Sequence, residues 1–411
     1  MREEIERQIA QNLHSFQSAL IGCGSSLEEY IQDTYLNKWD SEIILAAMKI
    51  RTTMMGELYS FLTDEGLINI EKVLLSMITD PLAHDIEHTP SVSYKGQQYV
   101  TTHSMIYSKM LACINKKVKG IFVDSPNIRL ELESPIRFQR GRYLIDFSQM
   151  DIEVRRNHNL SFEEYLNDPE TVRKILDHDL ELALNFFERM LVRVISRIVE
   201  RNSDELAFLG VRLRIPTIPF PVFGYDGIRD KFGRRSPEKE IGKETDSQFF
   251  WVRGILRENY DLVYPYLLKD GSKVKREDIT SDMIYNYDIC AKSVQADGSV
   301  LPAVEILSGG VREWIYEAII ERLIDNKILP CRPDIRNCCV ENIDEIAGYG
   351  PFLMIAKMLR QNGKPYFPET FGGGLGIERM LYAILRGPKI EKVDDVTFFG
   401  KNPDSQQLYL F

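Results

Sequence analysis

Eight charged residues lie inside or beside apolar, strand-like stretches of this sequence, where a charge is costly unless it is paired or used. They are Arg129 and Glu131 in NIRLE, Asp151 and Glu153 in MDIEV, Asp288 in YDI, Glu305 and Arg312 in VEILSGGVREW, and Arg379 in GLGIER. One such residue is usually half of a structural ion pair. A mixture of arginines and carboxylates suits a site for phosphates, a metal and a zwitterionic substrate, because carboxylates bind Mg²⁺ and arginines bind phosphate and carboxylate oxygens. That chemistry is ATP-dependent acyl activation.

A glycine cluster near the end of the sequence is a second, weaker sign of a phosphate site. FGGGLGIERMLYAIL, residues 371–385, runs from glycines into a predicted helix with Arg379 in its first turns. Bare backbone N–H groups and a helix N-terminus both favour anions. A dinucleotide-binding fold would need these glycines after its first strand, whereas here they come last. Phe147, between Asp146 and Ser148, is a candidate face for adenine or simply a core residue.

Two other motifs carry weaker chemical signals. HDIEH, residues 84–88, has the four-residue histidine spacing of a zinc-binding helix, but the prolines that bracket it and the lack of a third ligand favour a surface loop or short helix. In HSMIYSK, His103 and Ser104 are neighbours on a predicted strand, so their side chains point to opposite faces. A nucleophile and base pair, and with it a hydrolase triad, is therefore not supported.

The composition is that of a globular protein. Of 411 residues, 44% are hydrophobic, and the net charge of -10 disfavours diffuse binding to nucleic acid. No apolar run approaches the roughly 20 residues that a membrane span needs, and no signal-peptide core is visible, so we expect a cytoplasmic protein. The six cysteines include no C-x-x-C pair and are expected to be reduced and mostly buried.

The elements that must position the charged residues alternate without a regular βαβ rhythm, which favours an α+β fold with an antiparallel sheet. Apolar residues recur at helical spacing in residues 1–61 and 169–202 and around REWIYEAIIERLID and PFLMIAKMLRQ. Residues 98–154 alternate like an antiparallel pair of strands, and Asp297-Gly298 marks the turn of a second hairpin. The polar stretch 228–248 is predicted to be a solvated loop that could close over a site.

Several of these motifs together resemble a known family. NIRLE followed by RYLIDFSQMDIEV resembles motif 2 of the class II aminoacyl-tRNA synthetases, and GLGIER resembles motif 3. Within that class, HSMIYSK, DFSQMDIEV and EILSGGVREW are most similar to the aspartyl/asparaginyl branch, and closer still to the archaeal-type asparagine synthetases related to asparaginyl-tRNA synthetase. The resemblance covers residue 51 to about residue 396.

The resemblance implies an antiparallel β-sheet flanked by helices. The catalytic domain would span residues 51–411, with a helical and loop insertion at about 160–248, after an N-terminal helical segment at 1–50. It also implies a homodimer, although Lys72 and Val73 stand where motif 1 of the class usually carries proline.

The resemblance further implies roles for individual residues, with ATP and Mg²⁺ as cofactors. Arg129 would bind the α-phosphate, Glu131 the nucleotide and Phe147 the adenine, with Arg142 and Arg379 on the terminal phosphates and Gly374 and Gly376 beside ATP. Glu305 would hold Mg²⁺ with Asp288, for which Asp261 in NYDLVYP is the competitor. Lys109 and Arg312 would bind the carboxylates of aspartate, Asp151 its ammonium group, and Ser104 would be a further substrate-binding residue. Arg129, Glu305 and Arg379 are the expected catalytic residues.

The segment before motif 1 decides which function we expect. Full synthetases of this branch carry an anticodon-binding barrel of roughly 100 residues there, whereas about 50 residues, predicted to be helical, precede it here. The expected function is an asparagine synthetase that activates aspartate as an acyl-adenylate and amidates it with ammonia, releasing AMP, without tRNA as a partner. Three alternatives stay open: an amide ligase that uses another amine, a non-catalytic synthetase paralogue, and an aspartyl/asparaginyl-tRNA ligase. Motifs alone do not determine the amino acid, the activated carboxylate or the amine.

Overall fold

The computed structural model of the chain describes residues 2–78, 89–130, 141–156, 158, 160–233, 240–257, 261–361, 364–365 and 367–401. The histidines of HDIEH and Glu131 lie outside these residues. The zinc hypothesis and the nucleotide-binding role of Glu131 therefore stay predictions.

A mixed sheet forms the centre of the fold. Its strands are Ile68–Asn69 (β1), Gly120–Ile128 (β5), Asp146–Arg155 (β6), Val222–Gly224 (β7), Phe249–Arg253 (β8), Asn286–Ala291 (β9), Val304–Val311 (β10) and Thr370–Gly376 (β15). The eight strands lie in the order β1-β5-β6-β15-β10-β9-β8-β7. The pairs β1–β5 and β7–β8 are parallel, and all other neighbours are antiparallel. The sheet is thus antiparallel as predicted, except at its two edges.

Smaller sheets and a set of helices surround this centre. The other strands are Leu75–Ser76 (β2), Ser91–Tyr94 (β3), Gln97–Thr101 (β4), Ile335–Arg336 (β11), Cys339–Val340 (β12), Arg360–Gln361 (β13) and Lys364–Pro365 (β14). The described α-helices are Arg2–Gly22 (α1), Leu27–Ile31 (α2), Asn37–Trp39 (α3), Glu42–Asp64 (α4), Ile106–Ala112 (α5), Phe162–Asn167 (α6), Pro169–Arg201 (α7), Ser203–Leu209 (α8), Tyr225–Phe232 (α9), Tyr316–Asp325 (α10), Ile343–Ile346 (α11), Tyr349–Met358 (α12) and Ile377–Leu385 (α13). No helix in this described part of the chain is both long and apolar enough to cross a membrane.

The long helix α7 supports the sheet from one side. It begins where the Asp168 side chain accepts a hydrogen bond from the N–H of Thr171, with Pro169 in the first turn, as expected of a capped helix. Its buried stripe, which includes Leu191, Val194 and Ile198, lies in the same apolar core as helix α4 and the central strands. The amphipathic helix predicted at 169–202 is therefore confirmed.

Strands β6, β10 and β15 approach one another closely, which explains why glycine is needed at Gly309 and Gly372. A Cβ atom at Gly372 would lie 2.1 Å from Oε2 of Glu153, and one at Gly309 would lie 2.3 Å from the carbonyl oxygen of Gly372. Any side chain there would collide with a buried carboxylate or with the neighbouring strand. The glycines thus make room for the charged side chains of β6 as well as for the strands themselves.

Three local expectations need correction. His103 and Ser104 lie in the turn before helix α5 and not on a strand. The prediction that their side chains point to opposite faces of a strand was therefore wrong. The polar stretch 228–248 was predicted to be a loop, but its first residues belong to helix α9, which ends at Phe232. All six cysteines are free, as predicted, but only Cys113 and Cys290 are buried.

Candidate active site

A narrow cavity lies where strands β5, β6, β10 and β15 meet the start of helix α13. It is lined by residues expected to bind ATP, namely Arg129, Arg142, Phe147, Glu305, Gly374, Gly376 and Arg379. Its volume is about 30 Å³, well below the roughly 300 Å³ at which small-molecule sites begin. Side chains must therefore move before a nucleotide can enter.

Arg129 is held at one wall of this cavity. Its Nε and one terminal nitrogen donate to the carbonyl oxygen of His103, at 3.1 and 2.9 Å. Its guanidinium lies 5.0 Å from the ring centre of Phe147, a cation–π distance. Burial, together with the positive charge of Arg129, lowers the pKa of His103 to about 4. His103 is therefore neutral at pH 7, and Arg129 keeps the local positive charge.

Arg379 closes the opposite wall. It forms an ion pair of 3.2 Å with Glu305 and lies 5.3 Å from the ring centre of Tyr143. The preceding residue, Glu378, accepts a hydrogen bond of 2.9 Å from the backbone N–H of Ser148, which ties α13 to β6. Arg379 and Glu305 are both partly exposed, so incoming phosphates could replace the contact between them.

A second, buried group of charges continues along β6 from the nucleotide cavity. Nζ of Lys109, on helix α5, lies 2.6 Å from Oδ1 of Asp151 and 3.9 Å from Oε2 of Glu153. Oδ2 of Asp151 is buried without a hydrogen-bond partner among the described residues. Ser104, the other residue expected here, accepts a hydrogen bond of 3.3 Å from the N–H of Ile106 and so supports the start of α5.

Arg312 links this charged group to Asp261, on the segment before strand β9. Its Nε lies 3.1 Å from Oε1 of Glu153, and a terminal nitrogen lies 3.0 Å from Oδ1 of Asp261. The hydroxyl of Thr370 also donates to Glu153, at 2.7 Å. Buried charges are tolerated when they are paired in this way. The structure thus brings together Lys109, Asp151 and Arg312, the residues expected to bind aspartate.

Arg257 is a member of the site that the sequence prediction missed. Its guanidinium forms an ion pair with Asp288, donates to the carbonyl oxygen of Gly309 at 3.0 Å and lies 3.4 Å from Oδ2 of Asp261. Burial opposes its charge, but Asp288 and Asp261 raise the pKa of Arg257 above its usual value. Arg257 is a charged residue in the largely apolar stretch before NYDLVYP. It could therefore have been found by the same signal as the eight charged residues named in the sequence analysis.

The magnesium prediction rests on Glu305 and Asp288. They lie on the adjacent strands β10 and β9, and burial raises the pKa of Asp288 to about 7, opposed by Arg257 and reinforced by Glu305. Within the described ranges, no three His, Cys, Asp or Glu side chains form a group that could hold a metal. Proteins usually bind Mg²⁺ through one or two carboxylates plus substrate phosphates. The carboxylates therefore fit a Mg²⁺ ion that arrives with ATP, with Glu305 as the less encumbered ligand.

A second unpredicted residue, Arg156, supports the site from behind. Its guanidinium donates to the carbonyl oxygens of Thr370 at 3.2 Å and Arg312 at 3.1 Å, and it pairs with Asp179 at 2.7 Å. It also lies 4.8 Å from the ring centre of Trp314. One buried side chain therefore fixes the backbone of Arg312 and Thr370, two of the residues that contact Glu153.

The sequence matches that of a known family over most of its length. The profile of the family described as tRNA synthetases class II (D, K and N) matches residues 26–403. The chain belongs to this family. The class II synthetase fold predicted from motifs 2 and 3 is confirmed.

Two curated relatives are similar over part of their length. The Aspartate--tRNA(Asp) ligase of Pyrococcus furiosus is 22% identical over 288 residues, which are 70% of this chain and 58% of the relative. The Aspartate--tRNA(Asp/Asn) ligase of Archaeoglobus fulgidus is 22% identical, over 62% of this chain and 57% of the relative. The chain thus spans less than two thirds of the length of these relatives.

Solved structures show the same fold. The asparaginyl-tRNA synthetase of Pyrococcus horikoshii complexed with asparaginyl-adenylate matches with a TM-score of 0.61 and 17% identity, covering 90% of this chain and 70% of that one. The Entamoeba histolytica asparaginyl-tRNA synthetase in complex with asparaginyl-adenylate gives a TM-score of 0.62 at 15% identity, covering 92% and 72%.

Proposed function

We propose that this protein is an AMP-forming ligase that uses ATP to activate aspartate as an acyl-adenylate. The observation that carries the proposal is the order of side chains along one face of β6. Phe147 and Gln149 line the nucleotide cavity, and Asp151 and Glu153, two and four residues further along, belong to the buried charged group. Alternate residues of a strand share a face, so the nucleotide and the amino acid would lie side by side.

The first half-reaction follows from this placement. A carboxylate oxygen of aspartate attacks the α-phosphorus, the bond from that phosphorus to the bridging oxygen breaks, and pyrophosphate leaves. Arg129 would offset the charge that develops on the α-phosphate, and Arg142 and Arg379 would hold the departing phosphates. Mg²⁺ bound through Glu305 would supply further charge neutralisation.

The buried charged group suits an acidic amino acid. Lys109 and Arg312 are the cations available for two carboxylates, and the free Oδ2 of Asp151 is an acceptor for an ammonium group. Both cations are already paired with protein carboxylates, so binding would exchange partners within the group and would not leave a charge unpaired.

We propose tRNA as the first candidate acceptor. The curated relatives are named as tRNA ligases, and the matched asparaginyl-tRNA synthetases were solved with asparaginyl-adenylate. The 3′-terminal hydroxyl of tRNA would attack the acyl carbon, and AMP would leave. This ranking differs from the expectation that tRNA is not a partner.

Ammonia is the second candidate acceptor. Residues 2–64 form helices and short connections, so these residues themselves contain no strand surface of the kind on which unpaired bases are commonly read. Ammonia would attack the same acyl carbon to give asparagine and AMP.

The test is ATP–pyrophosphate exchange with each of the twenty amino acids, followed by product analysis. We expect exchange with aspartate, and then either aspartylated tRNA or asparagine when total tRNA or ammonium is added. Exchange with asparagine but not with aspartate would show that asparagine is the amino acid that the protein activates. Absence of exchange with every amino acid, in a protein that binds ATP, would contradict the proposed activation step.

A further inference from the structure

The guanidinium of Arg257 lies among the carboxylates that are expected to bind a metal ion. It forms an ion pair with Asp288 and lies 3.4 Å from Oδ2 of Asp261. Glu305, on the neighbouring strand β10, is close enough to interact electrostatically with both Arg257 and Asp288. A cation of the protein itself therefore already faces the acids that a divalent ion would need.

Contacts on three sides hold this guanidinium in place. One terminal nitrogen pairs with Asp288, the other donates to the carbonyl oxygen of Gly309 at 3.0 Å, and Nε faces Asp261. The side chains of Arg257 and Asp288 are only 17% and 9% exposed. Because breaking a buried ion pair leaves a charge uncompensated, we expect this pair to persist when a nucleotide enters.

Asp261, the next acid beside Arg257, is engaged by other segments as well. A terminal nitrogen of Arg312 lies 3.0 Å from its Oδ1, and Nδ2 of Asn286 donates to its Oδ2 at 2.9 Å. Both carboxylate oxygens therefore already accept from protein donors. Asp261 thus keeps Arg257 in position, and neither of its oxygens is free for a metal.

Glu305 differs from both aspartates. It lines the nucleotide cavity, whereas neither Asp288 nor Asp261 is among the described residues that line it. Its ion pair with Arg379 joins two partly exposed side chains, which are 30% and 23% exposed. A divalent ion that arrives with ATP can therefore reach Glu305 without displacing Arg257.

We propose that Arg257 takes the place of a metal ion at Asp288, so that the divalent ion accompanying ATP is bound through Glu305 alone. The guanidinium supplies at Asp288 the positive charge that a second carboxylate-bound ion would otherwise supply. The part of this proposal that concerns ATP rests on the proposed function. The exclusion of divalent ions from Asp288 does not, because it concerns the free protein.

The first test is Mn²⁺ binding to the full chain without nucleotide, with free Mn²⁺ measured by electron paramagnetic resonance. Mn²⁺ replaces Mg²⁺ because both ions prefer carboxylate and water oxygens. We expect the R257Q variant to bind one Mn²⁺ at least about tenfold more tightly than the wild type, and the R257Q/D288N variant to lose that gain. Two controls should match the wild type: R257K, which keeps the charge, and R214Q, which removes an exposed arginine outside this cluster.

The second test measures binding of the Mn²⁺–ATP complex by the same method, without an amino acid, so that no turnover occurs. We expect E305Q to weaken this binding at least about tenfold and D288N to leave it within about threefold of the wild type. This test leaves Arg257 unchanged. It therefore decides the proposal even if thermal unfolding shows that R257Q does not fold.

Two results would overturn the proposal. One is an equal Mn²⁺ affinity of the wild type and a folded R257Q variant. The other is a loss of Mn²⁺–ATP binding in D288N as large as that in E305Q, which would make Asp288 a metal ligand. Absence of pyrophosphate exchange with every amino acid would contradict the proposed function but would leave the first test unaffected, so the two can fail separately.

Discussion

The guanidinium of Arg129 is fixed between a carbonyl oxygen and an aromatic ring. Because it is the cation expected to face the reacting phosphate, we predict that R129A lowers aspartate-dependent pyrophosphate exchange at least about 100-fold. R129K should recover only part of the loss, since an ammonium group cannot make both contacts to His103. The measurement is the exchange rate at saturating ATP. R201A, at the exposed end of α7, is the control, and an R129A rate equal to that control would refute the assignment.

We predict that His103 makes the folding stability depend on pH. Its pKa is lowered to about 4 in the folded protein, against about 6.5 in the unfolded chain. Below pH 6.5 the unfolded state therefore binds a proton that the folded state does not, and folding stability falls as the pH falls from about 6.5 to 4, by up to about 3 kcal/mol. Urea unfolding at several pH values should show a shallower decline in H103Q. An identical slope in both proteins would show that His103 is not the group responsible.

At the residue scale, the main signal in the sequence was a charge among apolar residues, and the roles assigned from that signal stay predictions. Arg129, Phe147, Glu305 and Arg379 line one cavity, as the motifs implied. Arg257 and Arg156 were missed because Asp288 and Arg312, the partners that join them to the site, are distant in sequence. Asp288 meets Arg257 only once β8 and β9 pair, and Arg156 reaches Arg312 across the sheet.

The segment after β6 and helix α7 together position the buried charged group that is proposed to bind aspartate. Arg156 follows β6, Asp179 projects from α7, and together they hold the backbone of Arg312 and Thr370. We predict that R156K raises the KM for aspartate about tenfold and leaves the KM for ATP within about twofold, because lysine cannot span all three contacts. Initial rates of exchange at varied aspartate and varied ATP give both constants.

The neighbouring residue provides a matched control for this prediction. The side chain of Arg155 contacts the carbonyl oxygen of Cys113, at the end of helix α5. R155K should leave both constants unchanged. If R156K raised both KM values equally, the role of Arg156 would be general stability and not positioning of the aspartate pocket.

Elements with strong local signals were predictable from the sequence. Helix α7 has a continuous apolar stripe, and the hairpin of β9 and β10 has Asp297-Gly298 in its connection. The parallel edges were not predictable. Strand β1 has only two residues, and its partner β5 begins about fifty residues later, so no local pattern indicates the pairing. Tertiary contacts, and not propensity, create such strands.

At the scale of the whole molecule, four exposed apolar residues lie in strand β1, at the edge of the sheet, and in the ten residues that follow it. Ile68, Leu74, Leu75 and Met77 are 43 to 57% exposed. We predict that this area is the interface of the homodimer that the motifs implied, because contiguous exposed apolar surface commonly marks a protein interface.

Light scattering after size exclusion tests the dimer. The expected mass is twice 47.6 kDa, and the L74D/M77D variant should be monomeric with unchanged circular dichroism. V300D is the control, since Val300 is 50% exposed in the hairpin away from this area. A monomeric wild type, or a dimeric L74D/M77D variant, would contradict the prediction.

Strand β15 lies at the centre of the sheet but is the last of its strands to be synthesised. Until residues 370–376 leave the ribosome, β6 and β10 each lack the neighbour that joins them, and both halves of the site stay apart. A growing chain thus presents the unpaired edge of β6 once residue 155 is made, and that of β10 as well once residue 311 is made, until β15 follows. Such edges are a hazard for association with other chains. Truncation before residue 370 should yield aggregates rather than a partly active enzyme, and translation of this protein should depend on chaperones that shield those edges.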